Sequence, residues 1–279
     1  MKMVKIITDS STLYTVEEAE KAGFEAVPLC VTIGDMEGRD LQVDMEDFYD
    51  RIQKGEIPMS SQPPIGDVLD AYERYPEEEI INISMADGLS GTYQSACSAR
   101  EMSEHKERIT VFNSMTLCGP HRYMVEKAQK MAQAGKSREE ILEWLEHIKT
   151  RTESYLIPQD FAFLKRGGRL TPVAATLGSV LKLKPVMTLT EDCKKLDKFA
   201  VKRTMKAAVG AVIDQLKKSS LDARHILYVV HANALEDANS VVEQLKQTFA
   251  ECEIQVYPLS PVFVTQGGPK CIAIQYIEK

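Results

Sequence analysis

Residues 84–96 read Ser-Met-Ala-Asp-Gly-Leu-Ser-Gly-Thr-Tyr-Gln-Ser-Ala, and they indicate how the first half of the chain folds. They follow an apolar run at residues 80–83, Ile-Ile-Asn-Ile, that is typical of a buried strand. They lead into residues 92–102, which we predict as a helix. A short turn that contains Ser90 and Thr92 lies between the strand and the helix.

This turn has two interpretations. The first N–H groups of a helix have no intrahelical partners, and the helix dipole is positive at that end. With the hydroxyls of Ser90 and Thr92, these donors favour an anion such as a carboxylate or a phosphate. Alternatively, Ser90 or Thr92 simply caps the helix. The stretch taken alone favours the cap, because capped strand-to-helix turns are common.

The composition is that of an ordinary globular protein. The chain has 279 residues, of which 44% are hydrophobic and 27% are charged, enough for one large α/β domain or two smaller ones. The net charge of −7 argues against nucleic acid as a partner, since nucleic acid requires a clustered basic surface. It also gives no reason to expect a polybasic membrane patch.

The sequence indicates a cytoplasmic protein rather than an integral membrane protein. No apolar run approaches the roughly 18 to 20 residues that span a bilayer, and the N-terminus turns polar too soon for a signal peptide. The six cysteines lack C-x-x-C spacing, which favours free thiols. The five histidines form no metal pattern, and we expect neither a metal nor a cofactor.

Strand-like and helix-like segments alternate through the first half of the chain. This alternation implies a mostly parallel sheet with helices on both faces. The predicted strands are residues 2–8, 24–33, 80–83 and 108–112. The predicted helices are residues 16–22, 44–54, 65–72, 92–102, 119–134 and 138–150. Residues 34–43 are predicted as an acidic loop and residues 59–64 as a polar turn.

Three predicted strands end in hydroxyl-rich turns. Asp9 and Ser10 follow the first strand, the Ser90 turn follows residues 80–83, and residues 113–116 follow the next strand. Ligands of open parallel sheets bind at the carboxyl ends of strands. The turn after the first strand could equally cap the helix at residues 16–22. The paired hydroxyls of residues 60–61, beside two prolines, could hold a carboxylate or start a helix.

The second half of the chain is predicted as a separate domain. The charged helix ends near residue 150, and we place the boundary between domains 1–153 and 154–279. The predicted strands are residues 155–157, 184–189, 225–230, 254–257 and 270–276. The predicted helices are residues 201–216 and 236–249. Residues 177–183 are apolar, and residues 260–269 form a Gly/Pro loop or a tight hairpin.

Two features of the second half could take part in ligand binding or catalysis. Arg166 and Arg169 flank Gly167 and Gly168, and arginine suits planar anions. A helix that ends at Gly167 with solvated basic side chains explains the same residues slightly better. His231 ends a predicted strand and is interpreted as an ordinary hydrogen-bonded side chain rather than a catalytic base.

Five motifs, in order, resemble those of one family. They are T-D-S at residues 8–10, S-S-Q-P at 60–63, L-S-G-T-Y-Q-S-A at 89–96, F-L-K-R-G-G-R-L at 163–170 and L-K-P at 183–185. The chain resembles the DegV family of bacterial fatty-acid-binding proteins, also called FakB, over nearly its whole length. The serine at residue 60 stands where the family has threonine.

The resemblance implies two α/β domains, the first with a mostly parallel sheet flanked by helices and the second an α/β sandwich. It implies a long-chain fatty acid, such as palmitate, stearate or oleate, in a buried tunnel of the N-terminal domain with its carboxyl group near the cleft. Carried over by position, the carboxylate-binding residues are Ser60, Ser61, Ser90, Gly91 and Thr92. Ser60 and Ser90 would hydrogen-bond the carboxylate, and Thr92 would cap the helix. The head-group residues at the cleft are Asp9, Ser10, Arg169, Arg203 and Gln266.

The resemblance also implies a carrier rather than an enzyme, one that presents its lipid to a separate fatty acid kinase. One motif departs from the family pattern H-x-G-P-G, because Gln266 replaces the histidine and Lys270 the last glycine. Glutamine can hydrogen-bond a carboxylate but cannot carry a positive charge. Two alternatives therefore stand beside the carrier: a kinase-independent lipid sensor, and an enzyme that acts on a small phosphorylated or carboxylated metabolite.

Overall fold

The structure, a computed structural model, describes residues 3–177 and 183–279. The chain separates into two compact units, Met1–Thr150 and Arg151–Lys279, and each is described by itself. Most of the apolar stretch predicted at residues 177–183 lies outside the described residues.

The first unit contains seven strands and six α-helices among its described residues. The strands are β1 (Val4–Asp9), β2 (Glu25–Val27), β3 (Cys30–Ile33), β4 (Met36–Arg39), β5 (Met59–Ser61), β6 (Glu79–Ser84) and β7 (Ile109–Asn113). The helices are α1 (Val16–Ala22), α2 (Met45–Gln53), α3 (Ile65–Glu73), α4 (Thr92–Met102), α5 (Cys118–Gln133) and α6 (Arg138–Ile148).

The main sheet of the first unit is parallel, with strand order β2-β1-β6-β7. Its central strands β1 and β6 are almost wholly buried, which suits a parallel sheet covered on both faces. Ile7 and Ile80 pack with Ala96 and Ala99 of α4 and with Val68 of α3. Helix α5 also packs against β1. The predicted parallel sheet flanked by helices is confirmed.

A second, antiparallel sheet of order β4-β3-β5 corrects three expectations. The single strand predicted at residues 24–33 is interrupted after Val27, because Pro28 has no N–H to continue a ladder. The predicted acidic loop contains β4, and the predicted turn at residues 59–64 begins as β5. Both strands are short and depend on pairing with β3, which local sequence does not reveal.

The second unit contains six strands and five α-helices among its described residues. The strands are β8 (Thr152–Ile157), β9 (Lys184–Leu189), β10 (Leu196–Lys202), β11 (His225–His231), β12 (Glu253–Pro258) and β13 (Ile272–Glu278). The helices are α7 (Phe161–Gly167), α8 (Pro172–Ala175), α9 (Met205–Leu216), α10 (Leu235–Thr248) and α11 (Pro261–Gly267).

One six-stranded sheet organises this unit, with order β10-β9-β8-β13-β11-β12. All neighbours are antiparallel except the parallel pair β11 and β12. Tyr155 and Ile157 of β8 pack with α9 and α10. Leu156, on the opposite side of the same strand, packs with Leu164 of α7 and Ala174 of α8. Helices on both faces make the α/β sandwich that the resemblance implied.

Two elements of this unit differ from the prediction. Residues 201–202 end strand β10, and the helix begins only at Met205, where the Thr204 side chain accepts a hydrogen bond from the backbone N–H of Ala207. The predicted Gly/Pro loop at residues 260–269 contains helix α11. Pro261 is the first residue of α11, a position where its missing N–H costs nothing.

Within the described ranges, no helix combines the length and the apolar character required to cross a bilayer.

Candidate functional site

The strand order of the parallel sheet reverses between β1 and β6. The chain moves from β1 to β2 on one side and from β6 to β7 on the other. Such a reversal opens a crevice at the carboxyl ends of the two central strands, where ligands of open α/β sheets bind. The turns after β1 and β6 carry the first and third of the five motifs.

The turn after β1 is buried and fully engaged with the protein. The carboxylate of Asp9 accepts one hydrogen bond from the N–H of Ser11 and one from the N–H of Met85, both at 2.9 Å. The hydroxyl of Ser10 donates to Asp40 at 2.7 Å and accepts from the N–H of Leu29 at 3.1 Å. The structure thus places both predicted residues inside the scaffold. They do not cap α1, because Thr15 forms a capping box there.

His121 of α5 is a buried residue that the sequence analysis missed. Its Nδ1 lies 2.7 Å from the hydroxyl of Ser11, and its Nε2 lies 3.0 Å from the carbonyl oxygen of Ile83. Burial lowers the pKa of His121, and the nearby carboxylate of Asp9 offsets part of that effect. A carbonyl oxygen can only accept, so Nε2–H donates to Ile83, and in the neutral ring that burial favours Nδ1 accepts from the hydroxyl of Ser11. The missed signal was its spacing, because His121 shares the buried face of α5 with Val125.

The turn after β6 presents Ser90 at the N-terminus of α4. The Ser90 hydroxyl lies 2.8 Å from the Thr92 hydroxyl and accepts from the Thr92 N–H at 3.3 Å. Thr92 is the first residue of the helix, and the capping position belongs to Gly91, which offers no side chain. The expectation that Thr92 is the cap is therefore wrong, because the hydroxyl that satisfies a helical N–H is that of Ser90.

Residues 60–63 lie beside this helix end. Gln62 rests against Gly91, since a Cβ atom on that glycine would lie 2.9 Å from Gln62 Oε1. The hydroxyl of Ser95 donates to the carbonyl oxygen of Pro63 at 3.0 Å. Ser60, half-buried, and the exposed Ser61 belong to β5 in the same segment. The structure thus brings the second and third motifs together.

The resulting arrangement suits a carboxylate. The Ser90 hydroxyl lies at the N-terminus of an eleven-residue helix, where the dipole is positive, and β5 with Ser60 and Ser61 ends one residue before Gln62, which contacts that helix end. A hydroxyl can donate to an anion while it accepts from a backbone N–H. The first unit can therefore hold an acidic head group by hydrogen bonds.

In the second unit, Arg169 and Gln266 meet at Gly167. The guanidinium of Arg169 donates to the carbonyl oxygen of Gly167. A Cβ atom on Gly167 would overlap Gln266 Oε1, so the glutamine side chain lies directly on the glycine. Helix α7 ends here, and Gly168 adopts the left-handed conformation, with φ of 72°. Both features expected at residues 166–169 are therefore present: a helix ends at Gly167, and the polar side chains of Arg169 and Gln266 lie beside that glycine.

Arg203 is not brought to this cluster. It is exposed and follows the last residue of β10, whereas the carbonyl oxygen of Arg169 accepts from the N–H of Leu196 at the start of that strand. At 3.3 Å per residue, the two ends of β10 lie about 20 Å apart. Lys270 is also exposed, and its ammonium donates to the carbonyl oxygen of Asn233 rather than pointing inward.

Comparison with known proteins identifies the family. The DegV family model matches residues 3–279. The chain belongs to the DegV family. A DegV domain-containing protein of Halalkalibacterium halodurans is 30% identical, and the alignment covers 100% of both chains.

Two solved DegV structures share the fold. DegV of Bacillus subtilis, a fatty acid binding protein, is 29% identical with a TM-score of 0.87, and the match covers 100% of both chains. A DegV family protein of Thermus thermophilus, studied for fatty acid binding, is 25% identical with a TM-score of 0.88. That match covers 99% of this chain and 100% of the other.

This DegV chain also has a groove of about 780 Å³ along the edge strand β2. Charged side chains line much of it, including the ion pairs Arg74–Glu25 and Arg39–Asp67. Its lining includes none of residues 60–62 or 90–92, so this groove is separate from the hydroxyls of Ser60, Ser61 and Ser90. Across the described ranges, three or more His, Cys, Asp or Glu side chains nowhere gather in a way that could hold a metal ion.

Proposed function

We propose that this protein binds one long-chain fatty acid and that the hydroxyls of Ser60 and Ser90 hold its carboxylate. The observation that carries the proposal is the contact of Gln62 with Gly91, which brings the end of β5, with Ser60 and Ser61, to the helix N-terminus that carries Ser90. The DegV relatives from Bacillus subtilis and Thermus thermophilus support a fatty acid as the ligand.

The energetics suit such a ligand. Burial of an acyl chain gains about 0.8 kcal/mol per CH₂ group, so a chain of about sixteen carbons supplies most of the affinity. The hydroxyls then fix the orientation and depth of the chain rather than its total binding energy. We also propose that the acyl chain occupies a buried tunnel of the first unit, and that Ser61, Gly91 and Thr92 help to bind the carboxylate. The roles of Arg169 and Gln266 remain predictions from the resemblance, whereas the structure does not place Arg203 beside Arg169.

Native mass spectrometry of protein purified from bacteria tests the proposal. The expected spectrum contains a species heavier than the bare chain by one fatty acid, and lipid extraction identifies its length and unsaturation. A protein that carries no acyl chain and rejects added palmitate, stearate and oleate would contradict the proposal. Phosphate retained without a fatty acid would favour the alternative of an enzyme acting on a phosphorylated metabolite.

The finer part of the proposal is that the protein acts as a carrier that presents its lipid to a separate fatty acid kinase. Gln266 stands where the family pattern has histidine, and a glutamine can hydrogen-bond a carboxylate but supplies no positive charge. We expect a purified kinase to form acyl phosphate from the loaded protein, and Gln266→His to raise that rate. Acyl phosphate formed from neither protein would instead favour the kinase-independent lipid sensor.

The carrier is proposed to work in the cytoplasm. All six cysteines are free thiols, which suits a reducing compartment. Fractionation of the source cells, with the protein detected by antibody, tests this location. Recovery of the protein in the culture medium would contradict it.

A further inference from the structure

Residues 8–12 form a buried segment, and the side chains of Thr8, Asp9, Ser10 and Ser11 hydrogen-bond to other parts of the first unit, while Thr12 bonds to the carbonyl oxygen of Asp9. Their exposed fractions run from 0% to 2%, which leaves little surface for a ligand. The structure also gives each of these five side chains a hydrogen-bond partner. The side chains of this segment therefore form hydrogen bonds inside the protein and have little contact with solvent.

Three successive side chains of this segment hold three different elements. Asp9 holds the turn after β6 through the N–H of Met85. Ser10 holds both ends of the β3–β4 hairpin, through Leu29 just before β3 and through Asp40 just after β4. Ser11 holds α5 through His121.

Two of these elements carry the hydroxyls of the proposed site. The turn after β6 continues from Met85 to Ser90 within five residues. The antiparallel sheet carries Ser60, which pairs with Val31 of β3 two residues beyond Leu29. Asp9 and Ser10 therefore fix one hydroxyl-bearing element each, from adjacent positions on one strand end.

We propose that Asp9 and Ser10 are positioning residues that set the spacing between Ser90 and Ser60, and that neither touches the ligand. This inference rests on the proposed function. It replaces their expected role as head-group residues, because a buried carboxylate that already accepts two N–H groups would repel a second carboxylate. Loss of either side chain would let one hydroxyl drift while the acyl chain stays bound.

A double-mutant cycle with Ser10→Ala and Ser60→Ala tests the inference. Dissociation constants are measured on delipidated protein for oleate and for methyl oleate, which lacks the ionised head group. Each single variant is expected to bind oleate about fivefold more weakly. In the Ser60→Ala background, Ser10→Ala should add less than a twofold loss, since Ser10 acts through Ser60.

The controls separate the possible failures. Methyl oleate should bind wild type and Ser10→Ala equally, and thermal unfolding reports any general loss of stability. Asp9→Asn provides a second variant, because the amide keeps one acceptor for Ser11 but cannot accept from both N–H groups. Additive losses of about 25-fold for oleate, or equal losses for oleate and its ester, would overturn the inference. Failure of wild type to bind oleate would instead overturn the proposed function.

Discussion

The side-chain amide of Gln62 lies against the backbone of Gly91, at a distance that leaves no room for a methyl group. A Cβ atom on Gly91 would be 2.9 Å from Gln62 Oε1 and 3.1 Å from its Cδ. This contact places the segment that carries Ser60 and Ser61 at the start of α4, next to Ser90. The candidate site exists because the end of strand β5 and the turn after β6, which are far apart in sequence, meet at this one helix end.

Gly91→Ala should therefore weaken fatty acid binding with little effect on folding. The φ of Gly91 is −73°, which alanine adopts readily, and the clashing group is the end of an exposed glutamine. We expect a loss of about 1 kcal/mol in binding, the scale of one disturbed hydrogen bond. Titration with oleate and thermal unfolding measure the two effects.

Gly66→Ala is the matched control. Gly66 lies in the first turn of α3, and its added Cβ would meet no atom within 4 Å. We expect unchanged binding and a gain of about 0.5 kcal/mol in stability. If both glycine variants bind oleate like wild type, the ligand does not approach the start of α4.

Ser90→Ala should weaken the binding of an ionised fatty acid by about 1 kcal/mol, or about fivefold. The hydroxyl that accepts from Thr92 N–H is the one expected to donate to the carboxylate. Calorimetric titration measures the loss. Ser98→Ala, at an exposed position of the same helix, should bind like wild type. Equal affinities for the two variants would mean that the carboxylate is held elsewhere.

Gly167→Ala should displace Gln266 in the second unit. The new Cβ would overlap Gln266 Oε1 directly, and the glutamine is only half-exposed. We expect a loss of roughly 1 to 3 kcal/mol in the free energy of unfolding, the usual cost of overpacking. Gly210→Ala in α9, with no atom within 4 Å, should instead gain about 1 kcal/mol. Denaturant unfolding compares them, and a stable Gly167→Ala protein would show that Gln266 moves freely.

The buried ring of His121 should make stability depend on pH. Its pKa is lowered in the folded protein, so below about 6.5 the unfolded chain binds a proton that the folded chain does not. Lowering the pH therefore favours unfolding, by up to 1.36 kcal/mol per pH unit for one such group.

Denaturant unfolding between pH 7 and pH 5 measures the slope of the unfolding free energy against pH. His121→Gln should flatten it, although the variant is less stable throughout. Burial also lowers the pKa of His231, so His231→Gln should flatten the slope as well. The exposed His147→Gln is the control. An unchanged slope in His121→Gln would show that this ring titrates in the folded protein as it does in the unfolded chain.

Local sequence predicted the long elements well. Helix α4 spans Thr92–Met102 and α1 spans Val16–Ala22, as expected, because periodicity and termini agree there. The short strands β4 and β5 were missed, since their pairing partner β3 lies elsewhere in the sequence. Strand β10 was missed because its alternation runs directly into the helix that follows.

The site was predictable in part. The hydroxyl turns could be located at strand ends, and the DegV motifs gave their order. Sequence could not reveal that Asp9 and Ser10 face inward, because their partners Met85 and Asp40 are distant in the chain. It also could not separate Arg169 from Arg203, since only the direction of β10 places them at opposite ends.

A crystal structure with a bound long-chain fatty acid tests the central claim most directly. We predict a carboxylate oxygen within about 3.0 Å of Ser60 Oγ or Ser90 Oγ, the ordinary limit for a hydrogen bond from a hydroxyl, and both hydroxyls bound to the same head group. A carboxylate bound away from both serines, or crystals that take up no fatty acid, would contradict the account.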